Sequence, residues 1–187
     1  IGRITIADET IDTTTALSDL TFNTGNPRSA TSDDGTRFWC SGVGNSSANS
    51  GVRFVASLGA SSSTQVSNTL TNTRVVNIFN DGRQNQLFVS SASGAFQGIS
   101  TVGSGTPTSG FPVPITLLNG FPTTTGPSSY DYFLANPTTL YVADDRALPN
   151  GGIQKWTLSA GTWTLAYTLN SGLTNGCRGL TALGARV

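Results

Sequence analysis

The sequence repeats itself, and the repeat limits the fold more than any single residue does. Asn-x-Arg opens "NPRSATS" at 26–32 and "NTRVVNIFN" at 72–80, and a looser version opens "NGCRGLTAL" at 175–183. Arg28 and Arg74 lie 46 positions apart. Three strand-like runs, "RSATS", "RVVNIFN" and "YDYFLA", are each followed by three more, and the first two are entered from Asn-x-Arg. The second runs are "RFWCSG", "QLFVSSAS" and "TLYVADD", with aromatic and β-branched centres. The third are "GVRFVASLG", "GISTVGSG" and "GIQKWTLSAG", and the fourth are "TQVSNTLT", "VPITLLNGF" and "TWTLAYTLN". Short β-prone runs punctuated by turn residues are strands. A four-strand order recurring about every 50 residues marks a propeller built from four-stranded blades.

The expected fold is therefore all-β, a β-propeller of four-stranded antiparallel blades. The divisions fall at 1–25 (a partial blade), 26–71, 72–127 and 128–174 (whole blades) and 175–187 (a partial blade). "GRITIADETIDTTTALSD" reads as two outer strands of a preceding blade, and "RGLTALGARV" as the inner strand of a following one. Asn-x-Arg then falls where the chain crosses from one blade to the next. Asn tolerates the turn. The planar Arg fork can reach carbonyls of a neighbouring blade. The competing reading is that Arg28, Arg74 and Arg178 ring an axial opening and hold an anionic ligand. The third unit, "GPSSYDY", has no Arg at the matching place.

The turns agree with the strands. "SDDGTRF" and "NDGRQNQLF" place Asp-Gly between first and second runs, a strong hairpin signal in which both residues accept positive φ. "NPTTL" serves the third unit. The stretch "PTSGFPVPITLLNGFPTTTGP" at 107–127 cannot be a central strand, because proline lacks the N–H donor. It reads as an exposed excursion from a blade edge.

These pieces resemble a group of uncharacterised β-propeller segments in large secreted and surface bacterial proteins, rich in Ser, Thr and Gly. The matching residues are "DTTTALSD", "NPRSATSDDGTRFWCSG", "NTRVVNIFN", "QLFVSSASG", "STVGSGTPT", "LYVADD", "GIQKWTLSAGTW" and "CRGLTAL", which span nearly the whole chain. The resemblance implies a propeller larger than these residues and an exported host protein. It implies no activity. The Trp-Asp signature of WD repeats is missing, and so is the recurring double-Gly pattern of kelch repeats.

Composition narrows the chemistry. There is no His, so Ser-His-Asp and Cys-His catalysis and His-ligated metals are excluded. Lys155 is the sole lysine and Glu9 the sole glutamate. The remaining charges are short Asp and planar Arg, which suit turns and fixed networks. Net charge is zero and no basic patch exists, so nucleic acid is not an expected partner. No 18-residue apolar run exists to span a membrane. Ser and Thr make up roughly a quarter of the chain, which, with the scarce Lys and Glu, points to an extracellular or cell-surface protein. The chain contains no Met and starts with Ile, the pattern of a processed product or a piece of something longer.

Several residues are candidates for sites. Asn45 heads the sequon Asn45-Ser46-Ser47, a glycan acceptor in an exported protein. Cys40 and Cys177 are the only cysteines and could close one long disulfide loop, though strand placement opposes it. Asp33, Asp34, Asp144 and Asp145 are the candidates for a calcium site, without a D-x-D-x-D-G loop to support it. Trp156 and Trp163 lie in outer strands near an edge, where aromatic rings can stack on sugars.

Three functions are open. The first is a non-catalytic module that contacts protein or glycan. The second is a calcium-assisted carbohydrate-active enzyme using Asp. The third is a self-assembling surface subunit whose open blade edges pair, or which awaits further blades.

Overall fold

A computed structural model describes residues 1–181. The described chain is all-β, with one short 3-10 turn at Ser47–Asn49. A hairpin of β1 (Arg3–Thr5) and β2 (Thr10–Asp12) comes first. Three antiparallel sheets of four strands follow, each a simple meander in chain order. The first sheet holds β3 (Asn26–Thr31), β4 (Phe38–Val43), β5 (Gly51–Val55) and β6 (Thr64–Ser67). The second holds β7 (Val76–Asn80), β8 (Asn85–Ser93), β9 (Phe96–Val102) and β10 (Ile115–Leu117). The third holds β11 (Ser129–Asn136), β12 (Thr139–Asp144), β13 (Gly152–Ser159) and β14 (Thr162–Leu169).

The sheets repeat in register as well as in order. Ala30 faces Cys40 in the first, Val76 faces Val89 in the second, and Tyr132 faces Val142 in the third. Counting back two positions from Ala30, Val76 and Tyr132 reaches Arg28, Arg74 and Tyr130. Two of the Asn-x-Arg arginines thus occupy equivalent places, and a tyrosine takes the third.

The turns form partly for a different reason from the one the sequence suggested. In both Asp-Gly turns only the glycine has positive φ, +77° at Gly35 and +94° at Gly82. The aspartates act through their side chains. Asp34 Oδ1 accepts from the amides of Thr36 and Arg37, and Asp81 Oδ1 from those of Arg83 and Gln84. Asn136 Oδ1 does the same for Thr138 in the third sheet. Short polar side chains that cap their own turns are what this composition supplies in quantity.

Alternation along the strands builds the core between sheets. Trp39, Val52, Phe54 and Val66 face the second sheet and meet Val76, Leu87, Val89 and Val102. Phe88 and Ile99, on the other side of the second sheet, meet Tyr132, Leu134, Leu140 and Val142. Phe38, Cys40 and Val55, on the far side of the first sheet, are covered by Phe22, Leu17 and Ile1 of the N-terminal segment. Fully burying each such aliphatic side chain stabilises by about 1.5–3 kcal/mol.

Serines and a threonine stitch the sheets together where they meet. Ser41 Oγ donates to the carbonyl of Arg74 at 2.6 Å, and the equivalent Ser90 Oγ donates to the carbonyl of Tyr130. Thr73 Oγ1, fully buried, lies 2.9 and 3.1 Å from the carbonyl oxygens of Gly42 and Gly51, which share its one proton, and accepts from the Gly42 amide.

The proline-rich stretch is less exposed than its composition implies. Ile115–Leu117 is the edge strand β10, and Val113, Ile115 and Phe121 are buried. Phe121 stacks on Trp156 with centroids 4.0 Å apart. The prolines stay out of the ladder while the apolar residues between them anchor the segment. No described helix is long and apolar enough to cross a membrane.

Candidate functional site

The opening residues of the units converge. Asn26, Pro27, Arg28, Arg74, Tyr130, Asp145 and Arg178 line one polar cavity of about 420 Å³. Beside it lies a second cavity of about 370 Å³, lined from Arg28–Ala30, Val75–Asn77, Asp131–Phe133 and Leu180–Thr181. The first strand or opening segment of four successive units therefore lines one shared space.

Each arginine is held by a rule. Arg28 Nη1 donates to Asn72 Oδ1 at 2.6 Å and to the Thr73 carbonyl at 3.0 Å. Arg74 Nη1 donates to the Ser128 and Ser129 carbonyls, both at 3.1 Å, and to Ser128 Oγ. Thr73 and Ser129 are the residues just before Arg74 and Tyr130. Arg28 and Arg74 each tie their own unit to the carbonyl preceding the matching position of the next, whereas Arg178 reaches back to the Asp145 carboxylate of the unit before it. This is the crossover role that Asn-x-Arg suggested.

Tyr130 then breaks the rule in a useful way. It cannot donate a fork, and its ring lies beneath two guanidiniums, with Arg74 Cζ 4.8 Å and Arg178 Cζ 5.8 Å from the centroid. Asp145 sits between the same two arginines, 3.3 Å from Arg74 Nη1 and 3.1 Å from Arg178 Nε. Burial acts to raise the Asp145 pKa, but a Ser128 hydrogen bond and the two arginines outweigh it and hold it below the usual range. Burial lowers the pKa of Arg28, and the charge of Arg74 acts the same way. Arginine remains charged under such shifts.

The other candidate residues fall elsewhere. Asp33 pairs with Arg37 at 2.6 Å and Asp34 caps its turn. Asp144 is fully buried, gripped by Arg146 at 2.6 Å, and accepts from Gln154 and the Ser128 amide. All four candidate calcium ligands are thus engaged by guanidinium or turn amides. Among the described residues, no three His, Cys, Asp or Glu side chains group as metal ligands.

Trp156 and Trp163 are not edge platforms. They are 5% and 6% exposed, packed in the core between the second and third sheets, and Trp156 Nε1 donates to Gln154. The segment that closes the second sheet covers both: Phe121 lies on Trp156, and Asn119 accepts from the Trp163 amide. The disulfide is not formed either; Cys40 and Cys177 are both free. Cys40 is buried in β4 with its pKa pushed up to about 12 by that burial, which keeps the thiol protonated and inert. Cys177 instead donates its amide to the Asp144 carbonyl, tying the fourth unit to the third. Asn45 is exposed in the loop after β4, open to a glycan.

Sequence reasoning missed Tyr130, Asn72 and the stitching serines. The Tyr130 signal was available: aligning "SSYDYF" under "NPRSAT" and "NTRVVN" puts Tyr130 in the arginine column. Compared with known proteins, the chain shows no significant match to any family model, curated protein or solved structure.

Proposed function

We propose that the three sheets are consecutive blades of a β-propeller that serves as a non-catalytic binding or structural module of a secreted or cell-surface protein, contacting protein or glycan. One observation supports this reading: residues at the openings of four successive units line two adjoining cavities that share Arg28. Opening segments brought together around an axis are the defining arrangement of a propeller. The wealth of Ser and Thr and the exposed sequon at Asn45 support an extracellular setting. The engagement of Asp33, Asp34, Asp144 and Asp145 by arginines and turn amides speaks against a carboxylate pair poised for hydrolysis, and against the calcium-assisted enzyme.

The test is the immobilised chain on protein and glycan arrays, beside a hydrolysis screen on the same glycans. Saturable binding without turnover supports the module. Hydrolysis that Asp145→Asn abolishes would replace it with an enzyme. A rise in melting temperature with calcium that EDTA reverses would restore the metal.

A second reading, self-association, is favoured by the edge strand β14, where Leu165, Tyr167 and Leu169 are 42%, 44% and 57% exposed. The open edge of such a strand pairs readily with another copy. Light scattering across a dilution series checks it, and a constant monomer mass removes it.

A further inference from the structure

The polar mouth has more hydrogen-bonding capacity than its structural role uses. Arg28 and Arg74 make their bonds through Nη1 alone, and Arg178 through Nε alone, among the described residues. The other guanidinium nitrogens of these three side chains remain as donors around a cavity of about 420 Å³. That volume falls within the range of about 300–1,000 Å³ typical of small-molecule sites. Three guanidiniums face a single carboxylate, Asp145, so the lining keeps a positive excess. Two of the guanidiniums are also fixed in place: Arg28 is anchored to Asn72 and Thr73, and Arg74 to Ser128, Ser129 and Asp145 over the Tyr130 ring. Anchored forks lose less entropy on binding an anion than free ones.

We propose that this mouth binds a sugar carboxylate, a uronic acid or similar acidic saccharide unit. The inference rests on the reading of the chain as a glycan-contacting module and names the ligand class. A planar carboxylate matches the guanidinium fork. The sugar hydroxyls find acceptors and donors in Asp145 and Asn26, which line the same cavity. Asp145 offsets one of the three guanidinium charges, and the preference for a sugar carboxylate over phosphate comes from the hydroxyl contacts and the planar carboxylate match, not from charge.

The structural and binding roles can be separated because the three arginines are unequally buried. The Arg178 side chain is 75% exposed and makes one ion pair, whereas that of Arg74 is 17% exposed. Arg178→Gln therefore removes a ligand donor with little effect on folding. The experiment is calorimetric titration of the chain with sodium glucuronate, with glucose and inorganic phosphate as comparators, on wild type, Arg178→Gln and Arg28→Gln. The expected result is saturable glucuronate binding, weakened about tenfold or more in Arg178→Gln at an unchanged melting temperature, with glucose inert and phosphate weaker. Absence of glucuronate binding, equal affinity in wild type and Arg178→Gln, or tighter phosphate binding would each overturn the assignment. A glycan array run on wild type and Arg178→Gln keeps the two readings apart. Neutral glycans bound equally by both, with no acidic glycan bound by either, would remove the carboxylate site and leave the module standing.

Discussion

Two faces of this stack of sheets, one inner and one outer, have the same register and different fates. On the first sheet, Trp39, Val52 and Phe54 face the second sheet and are 0%, 0% and 9% exposed. Strand pairing places Tyr141, Ile153 and Lys155 at the matching positions of the third sheet, since Ser41 pairs with Val52 as Ala143 does with Ile153. There the same face is only half-buried. Lys155, the sole lysine, stands where Phe54 is core, with its ammonium 5.7 Å from the Tyr167 ring. Its stem covers apolar surface while its head stays in water. The position in the repeat decides which way a side chain points. The neighbouring unit decides whether that direction is core. The opposite end teaches the same lesson: Phe38, Cys40 and Val55 are buried because the N-terminal segment covers them.

The largest test of this contrast is a pair of truncations at one register position. Trp39→Ala should lower stability by about 3–5 kcal/mol, as for other buried aromatics, read as a urea midpoint. Tyr141→Ala should cost about 1 kcal/mol or less. Equal losses would mean that the third sheet's face is as covered as the first's, and that the contrast is false.

A smaller effect compares the arginine ties. Arg74→Lys keeps the charge but loses the planar guanidinium whose Nη1 reaches the Ser128 and Ser129 carbonyls, leaving them short of a donor. It should cost about 1–3 kcal/mol. Arg178→Lys, at the exposed end, should change the midpoint by less than about 0.5 kcal/mol. Arg74→Lys without a change in midpoint would show that the crossover is held by the Thr73 and serine stitches alone.

How much was legible follows from what kind of signal carried it. Period-2 runs between turn residues gave the strands and their order, because both are local properties of the chain. Arg28 and Arg74 were found as crossover ties because a fork beside a turn has few other uses. The two tryptophans were misplaced because burial on an outer strand depends on a distant segment. Phe121 covers Trp156 from 35 positions away in the sequence, and nothing near Trp156 announces it. Tyr130 escapes a pattern defined by arginine chemistry, because the position is set by where the strand starts. The N-terminal cover of the first sheet was read as two strands, and β1 and β2 form; the residues that hold the cover down come after them.

Those residues give the smallest test, aimed at the covered end of the comparison. Asp19 Oδ2 accepts from the Ser63 amide at 2.6 Å and from Ser63 Oγ at 2.8 Å, while Oδ1 takes the Thr21 hydroxyl at 2.6 Å. Buried Arg53 adds an ion pair at 3.8 Å. Burial pushes the Asp19 pKa up, but the Thr21 and Ser63 hydrogen bonds prevail and hold it at about 2. An unfolded aspartate titrates near about 3.9. The folded value is the lower one, so the ionised carboxylate stabilises the fold. That contribution is complete above about pH 4 and is lost as the pH falls towards about 2. Discounted for solvent screening, it amounts to about 1 kcal/mol. Wild type should therefore lose stability over this window more steeply than Asp19→Asn, measured as urea midpoints at pH 5, 4, 3 and 2, with the difference between them closing as the acid limit is reached. Parallel curves would show that Asp19 does not clamp the N-terminal segment, and that the cover of the first sheet is held by Phe22 and Leu17 alone.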